Sequence, residues 1–170
     1  MKVGIINVTG YAGIELARLL RHHPEAELVC ITGRSEAGKK LGEIFPHLEE
    51  IDLTIEPEIS KSVDIVFSAL PQVASAQAVV PLVRDGIKVV DISADFRLKD
   101  AQVYEKWYKA VHPAPDLLEE AVYGLTELNR DDVASASLVA NPGCYPTGAL
   151  LALAPLVKMG LVEHDIVIES

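Results

Sequence analysis

Short apolar runs and stretches of helical spacing alternate along this chain. Lys2-Val-Gly-Ile-Ile-Asn7 is a β-branched run without polar alternation, which predicts a strand buried on both faces. After the turn Val8-Thr-Gly-Tyr-Ala-Gly13, the spacing of Leu16, Leu19 and Leu20 predicts a helix over Ile14–His23, closed by Pro24. Ala26–Thr32 reads as a second strand, and the glycines and charges of Gly38–Glu43 predict a mobile loop. Asp52–Glu56 predicts a short strand, and Asp64–Ala69 a buried one ending in Leu70-Pro71-Gln72. Val73–Arg84 reads as a helix in which Pro81 marks a kink or an early end. Ile87–Asp91 and Leu138–Ala140 are further strands, the first followed by Ile92-Ser-Ala-Asp-Phe-Arg97. Lys99–Asp132, which holds Tyr104, Trp107, Tyr108 and Tyr123, reads as an insertion before the last strand, and long excursions are often functional. Its His112, between aromatics and prolines, reads as packed or exposed rather than catalytic, and His22-His23 suit the negative end of the first helix.

The alternation predicts an α/β fold, a Rossmann-type doubly wound parallel sheet whose ligands gather at the C-terminal ends of the strands. Gly10, Arg34, Pro71, Ser93 and Cys144 all follow such ends and are expected on one rim. Asp165–Ser170 looks like a strand just beginning, as in a fragment of a longer protein.

Composition narrows the partners. The 170 residues are 49% hydrophobic and 24% charged, which is globular, and a net charge of −10 argues against nucleic acid or an anionic membrane surface. Two cysteines give neither a disulfide framework nor a zinc motif, so a reducing, cytoplasmic setting is expected. No stretch has a signal-peptide layout or the length to cross a bilayer.

The first turn carries chemistry. Strand, glycine turn, helix, strand is the order of a dinucleotide site, where backbone N–H groups at a helix N-terminus meet a pyrophosphate. Thr9, Gly10, Tyr11, Ala12 and Gly13 are the candidates, with an ordinary tight turn as the alternative. A site for NAD usually carries Asp or Glu at the tip of the second strand. Here that tip is Thr32-Gly33-Arg34-Ser35, with no carboxylate until Glu36. Arg34 and Ser35 suit the 2′-phosphate of NADP; a solvated arginine is the competing reading.

Cys144 stands at the second centre, Ser137-Leu-Val-Ala-Asn-Pro-Gly-Cys-Tyr-Pro-Thr147. The strand breaks at Asn141-Pro142-Gly143 and a helix-like run resumes from about Thr147, with Pro146 near its first position. The positive end of a helix favours a thiolate, the nucleophilic form of cysteine. A buried structural cysteine is the alternative, and the strand-to-helix corner favours the nucleophile.

These pieces resemble one family. Thr9-Gly-Tyr-Ala-Gly-Ile-Glu-Leu16, Gly33-Arg-Ser-Glu-Ala-Gly38, Val90-Asp-Ile-Ser-Ala-Asp-Phe-Arg97, Tyr123-Gly-Leu with Glu127-Leu-Asn-Arg130, and Asn141-Pro-Gly-Cys-Tyr-Pro-Thr147 are similar, in order, to the N-acetyl-γ-glutamyl-phosphate reductases of arginine biosynthesis. The resemblance implies an NADPH-dependent reduction of an acyl phosphate through a thioester on Cys144, with Pro71 in the cofactor site and Ser93, Arg97, Asn141 and Gly143 near the substrate. Arg97 is read either as a phosphate or carboxylate clamp or as half of a structural salt bridge. The resemblance further implies a protein about twice this length and homo-oligomeric, with residues 1–145 as the NADP-binding domain. Residues 146–170 would open an α+β catalytic domain, and the catalytic histidine would lie beyond Ser170. Three positions depart from the family pattern: Asn7 for a glycine, Gln72 for a histidine and Thr126 for a proline. Aspartate-semialdehyde dehydrogenase, a nucleotide-binding module without catalysis and a cysteine hydrolase are the competing readings.

Overall fold

The buried β-branched runs become the centre of one sheet. The structure is a computed structural model, and it describes residues 1–59, 62–163 and 165–169. In chain order the elements are β1 (Lys2–Ile6), α1 (Tyr11–Leu20), β2 (Glu27–Thr32), α2 (Leu41–Ile44), a 3-10 turn (Pro46–Leu48), β3 (Ile55–Glu56), β4 (Ile65–Ser68) and α3 (Ala74–Arg84). Then come β5 (Lys88–Asp91), α4 (Ala101–Tyr108), α5 (Pro115–Glu120), β6 (Val122–Tyr123), α6 (Thr126–Ser135), β7 (Leu138–Ala140) and α7 (Cys144–Lys158). The seven strands lie in the order β3-β2-β1-β4-β5-β7-β6, and every pairing is parallel. The order reverses between β1 and β4, which opens a crevice at the sheet's C-terminal edge.

Adjacent strand residues face opposite sides, and two cores result. Val3, Ile5, Ile31 and Ile55 pack with Ala17 and Leu20 of α1 and with Leu41 and Leu48. Cys30, Val66, Val89 and Leu138 pack with Ala76, Val79 and Val80 of α3, with Phe96, and with Leu117 and Leu118 of α5.

The structure differs from the sequence expectations at five places. First, α1 begins at Tyr11 rather than Ile14 and ends at Leu20; Gly13, Ala17 and Leu20 face the core, Leu19 is exposed, and His22-His23 lie beyond the helix. Second, Gly38–Glu43 is stitched down rather than loose. Gly38 N–H donates to Ile55 O at 2.9 Å, Leu41 N–H to Leu53 O at 3.0 Å, and Leu41 is fully buried. Third, α3 runs through Pro81, because only its last turn is affected and Asp85 N–H still reaches Pro81 O at 2.9 Å. Fourth, α7 starts at Cys144 itself, with Pro146 inside its first turn. Fifth, Asp165–Glu169 forms no strand, and Ser170 lies outside the described residues.

The predicted insertion also contributes to the sheet. Its β6 pairs outside β7, and Gly124 is needed there because a Cβ would lie 2.7 Å from Val139 Cγ1. His112 is buried edge-on to Phe96 and Tyr104, with ring centroids 5.0 and 4.9 Å away. Its Nδ1 accepts from Ala114 N–H at 3.1 Å, and its buried Nε2 meets no hydrogen-bond partner. Burial holds this imidazole below the ordinary histidine value. Among the described residues no helix is long and apolar enough to cross a membrane.

Candidate functional site

The end of β1 meets the crevice at Asn7, whose φ is +64°, the left-handed region that asparagine tolerates better than most residues. Its Nδ2 donates to Ala69 O at 2.9 Å, so one side chain spans the ends of β1 and β4 where the strand order reverses. The chain then doubles back under α1. A Cβ on Gly13 would sit 2.3 Å from Asn7 O and 2.7 Å from Val8 Cα, so only glycine fits. Gly10 is the N-cap of α1 with no side-chain cap, and Tyr11 and Ala12 are exposed at the open terminus. Uncapped N–H groups at a glycine-cradled helix start suit a pyrophosphate.

Beside this turn lies a cavity of about 560 Å³ lined by Asn7, Gly33, Arg34, Ser35, Leu70 and Ala74, among others. Arg34 and Ser35 both line it. Thr9 borders the cavity through Gly33, where a Cβ would lie 3.4 Å from Thr9 Cγ2, whereas Pro71 is exposed and lies outside the lining. Sequence reasoning missed the opposite wall, Glu58 and Ile59 beyond β3 and Gln77 and Ala78 of α3. The rule that ligands gather beyond strand ends was the available signal, but β3 is only two residues long.

The middle of the rim is a buried polar network. Asp91 Oδ1 accepts from Ser75 Oγ at 2.5 Å and Ser93 N–H at 3.2 Å, and Oδ2 accepts from Ser93 Oγ at 2.6 Å. Ser68 and Ser75 hydroxyls are 2.7 Å apart. Burial pushes the Asp91 carboxyl up, and the Ser75 and Ser93 bonds pull partly back. The Ser93 hydroxyl also accepts from Asp95 N–H at 3.0 Å and is buried, so it fixes the loop after β5 from inside. Asp95 Oδ1 accepts from Val73 N–H at 2.8 Å and Tyr104 OH at 2.7 Å, while Oδ2 accepts from Ala76 N–H at 2.8 Å. Burial, with the Asp95 bond, keeps the Tyr104 phenol protonated well beyond its ordinary range. Val73 has φ +70° and ψ −50°, a backbone conformation that costs a β-branched residue roughly 1–3 kcal/mol.

Cys144 occupies the far end of the rim. Gly143 is the N-cap of α7 without a side-chain cap, and Cys144 and Tyr145 are exposed in its first turn. Pro146 has no N–H, and Thr147 N–H and Oγ1 both donate to Gly143 O, at 3.0 and 2.8 Å. Arg97 holds this corner from the loop after β5. Its Nε donates to Asn141 O and its Nη2 to Ile92 O, each at 2.8 Å. A Cβ on Gly143 would lie 3.1 Å from Arg97 Nη1, so the guanidinium lies against the turn that presents Cys144. Among the described residues both side-chain bonds of Arg97 go to backbone carbonyls. Asn141 Nδ2 turns inward to Pro142 O at 3.0 Å. Cys30, by contrast, is buried in β2. No cluster of metal-ligating side chains occurs among the described residues.

Comparison with known proteins shows the family and the fold. Residues 2–136 match the family described as semialdehyde dehydrogenase, NAD binding domain. An N-acetyl-gamma-glutamyl-phosphate reductase of Dehalococcoides mccartyi is 57% identical over 169 residues, which is 99% of this chain and 50% of the relative. One from Pelotomaculum thermopropionicum is 52% identical over 179 residues, covering 100% of this chain and 51% of the relative. The chain therefore spans about half the length of the curated relatives it matches. An aspartate semialdehyde dehydrogenase with NADP from Candida albicans superposes with a TM-score of 0.66 at 19% identity, over 95% of this chain and 48% of that one. A Vibrio cholerae aspartate semialdehyde dehydrogenase II gives 0.63 at 17% identity, over 92% and 46%. These likenesses confirm the fold, and the family match carries the nicotinamide cofactor with it: the chain belongs to the semialdehyde dehydrogenase NAD-binding domain family.

Proposed function

We propose that the chain carries the NADP site and the nucleophile of a reductase. That enzyme converts N-acetyl-γ-glutamyl phosphate to N-acetylglutamate semialdehyde with release of phosphate, in arginine biosynthesis. One observation carries the reading: exposed Cys144 begins an uncapped helix beside Arg97, on the sheet edge that also bears the uncapped start of α1 and the Arg34 cavity. The relatives' names point to the same acyl phosphate.

The residues suit each stage. The N–H groups at the start of α1 would hold the cofactor's pyrophosphate, and Arg34 and Ser35 would take the 2′-phosphate of NADPH. Cys144 thiolate adds to the acyl carbon; as the carbonyl re-forms, the carbon–oxygen bond to phosphate breaks and the thioester remains. Backbone N–H groups of Cys144 and Tyr145 face the oxyanion, and Arg97 accompanies the leaving phosphate. NADPH, when bound, would supply the hydride for reduction of the thioester to the aldehyde, with the Cys144 thiolate as the leaving group.

The split at residue 145 falls in the first turn of α7, a helix with no buried residue and with Leu150, Leu151, Leu156 and Val157 exposed. We place the cover for that face, the acid that completes turnover and the homo-oligomer contacts in the remaining half of the longer protein, acting in the cytoplasm. The aspartate-semialdehyde reading is favoured only by fold. NADPH oxidation by the full-length protein with N-acetyl-γ-glutamyl phosphate, and with β-aspartyl phosphate, separates the two. Turnover with the first, abolished by Cys144→Ala, supports the proposal. Turnover with the second alone contradicts it, as does full activity in Cys144→Ala.

A further inference from the structure

Two unusual features meet at the wall between the nucleotide cavity and the cysteine corner. Val73 holds its positive φ in the turn that starts α3, although valine resists that conformation. Its neighbours Leu70 and Ala74 line the cavity, as do Gln77 and Ala78 one turn further on. Val73 is itself exposed and outside the lining, so its side chain is not what holds the turn. The α3 start has no side-chain cap of its own. The cap comes from the next loop, where fully buried Asp95 accepts the N–H groups of Val73 and Ala76. Tyr104 OH fixes the same carboxylate from α4, and two residues beyond Asp95 stands Arg97, bonded to Asn141 beside Cys144.

We infer that Asp95 is a positioning residue: by capping α3 from the loop after β5 it holds Val73 at its positive φ and so sets the cavity wall that receives the nucleotide. The inference rests on the cavity being the nicotinamide-dinucleotide site. A carboxylate on two backbone donors compensates a backbone that its own sequence disfavours, and it ties the cofactor wall to the loop that carries Arg97. A plain core aspartate would support folding without regard to what residue stands at position 73.

The test is a double-substitution cycle read by NADPH titration of the chain. Asp95→Asn turns an N–H donor toward one of the two backbone N–H groups, and affinity is expected to fall by about tenfold or more. In a Val73→Gly background, where glycine adopts positive φ without strain, the same Asp95 substitution should lower affinity only about two- to threefold. Val73→Ala keeps the Cβ and should give no such relief. Should Asp95→Asn fail to fold, Tyr104→Phe frees one side of the carboxylate, and its smaller loss should likewise shrink in the Val73→Gly background. Equal losses in the valine and glycine backgrounds, or equal relief by alanine, would overturn the inference. An unsubstituted chain that binds no NADPH overturns the cavity reading and this inference with it, a result visible before any variant is made.

Discussion

Arg97 donates its Nε–H to Asn141 O at 2.8 Å, which ties the loop after β5 to the turn that presents Cys144. The bond makes Arg97 a strut as well as a charge. In the full-length enzyme, Arg97→Ala should lower kcat/KM for the acyl phosphate by about a hundredfold, the scale of losing one oxyanion donor. Arg97→Lys should recover little, because an ammonium cannot reproduce the fork to Asn141 and Ile92. Steady-state kinetics check this; full rescue by lysine would reduce the residue to a point charge.

Gly13 is the tightest point of the cofactor turn. An added methyl would lie 2.3 Å from Asn7 O, and the atom it meets is backbone. Gly13→Ala should therefore destabilise the chain by about 2–3 kcal/mol, as overpacking does. It should also weaken NADPH binding. Urea unfolding measures the first effect, and a change below about 0.5 kcal/mol, the scatter of ordinary surface substitutions, would mean the turn relaxes freely.

Arg34 and Ser35 share the cavity with no carboxylate at the β2 tip. Arg34→Ala should weaken NADPH binding by about tenfold or more, the range of a charge-assisted bond, and leave NADH nearly unchanged. Titration with both cofactors decides it. Equal losses would show that Arg34 does not read the 2′-phosphate.

His112 gives a pH signature. Burial lowers its folded value, so below the ordinary histidine value the unfolded chain takes up the proton first. Its stability contribution is present at neutrality and lost as pH falls toward the folded value. Asp91, raised by burial, works in the opposite sense: its contribution holds at low pH and is lost as pH rises through its folded value. Urea midpoints from about pH 7 to about pH 5, across the ordinary histidine range, should fall more for the parent than for His112→Gln. Parallel profiles would mean that His112 titrates alike in both states.

Much of this was legible in the chain itself. The alternation of Lys2–Ile6, Glu27–Thr32, Ile65–Ser68 and Lys88–Asp91 with helices announced the parallel sheet, because strands buried on both faces must be apolar throughout. Cys144 could be read as a corner cysteine from local turn chemistry, whereas Asn7 stood out only against the family's glycine. Helix starts were less legible: Tyr11 and Cys144 begin α1 and α7 without a capping side chain, the usual mark, because those termini are left open. The strained turn at Val73 was invisible, since valine argues against positive φ and its compensation comes from Asp95, 22 residues away. The edge strand β6 is two residues long and was hidden inside a helical excursion.

The central claim is that Cys144 becomes acylated. Full-length protein mixed with N-acetyl-γ-glutamyl phosphate in the absence of NADPH, quenched in acid and mapped by mass spectrometry, tests it directly. An N-acetylglutamyl group is expected on the peptide containing Cys144, absent in Cys144→Ala and discharged as aldehyde when NADPH is added before the quench. Acylation of another residue, or NADPH oxidation that persists with Cys144→Ala, would contradict it.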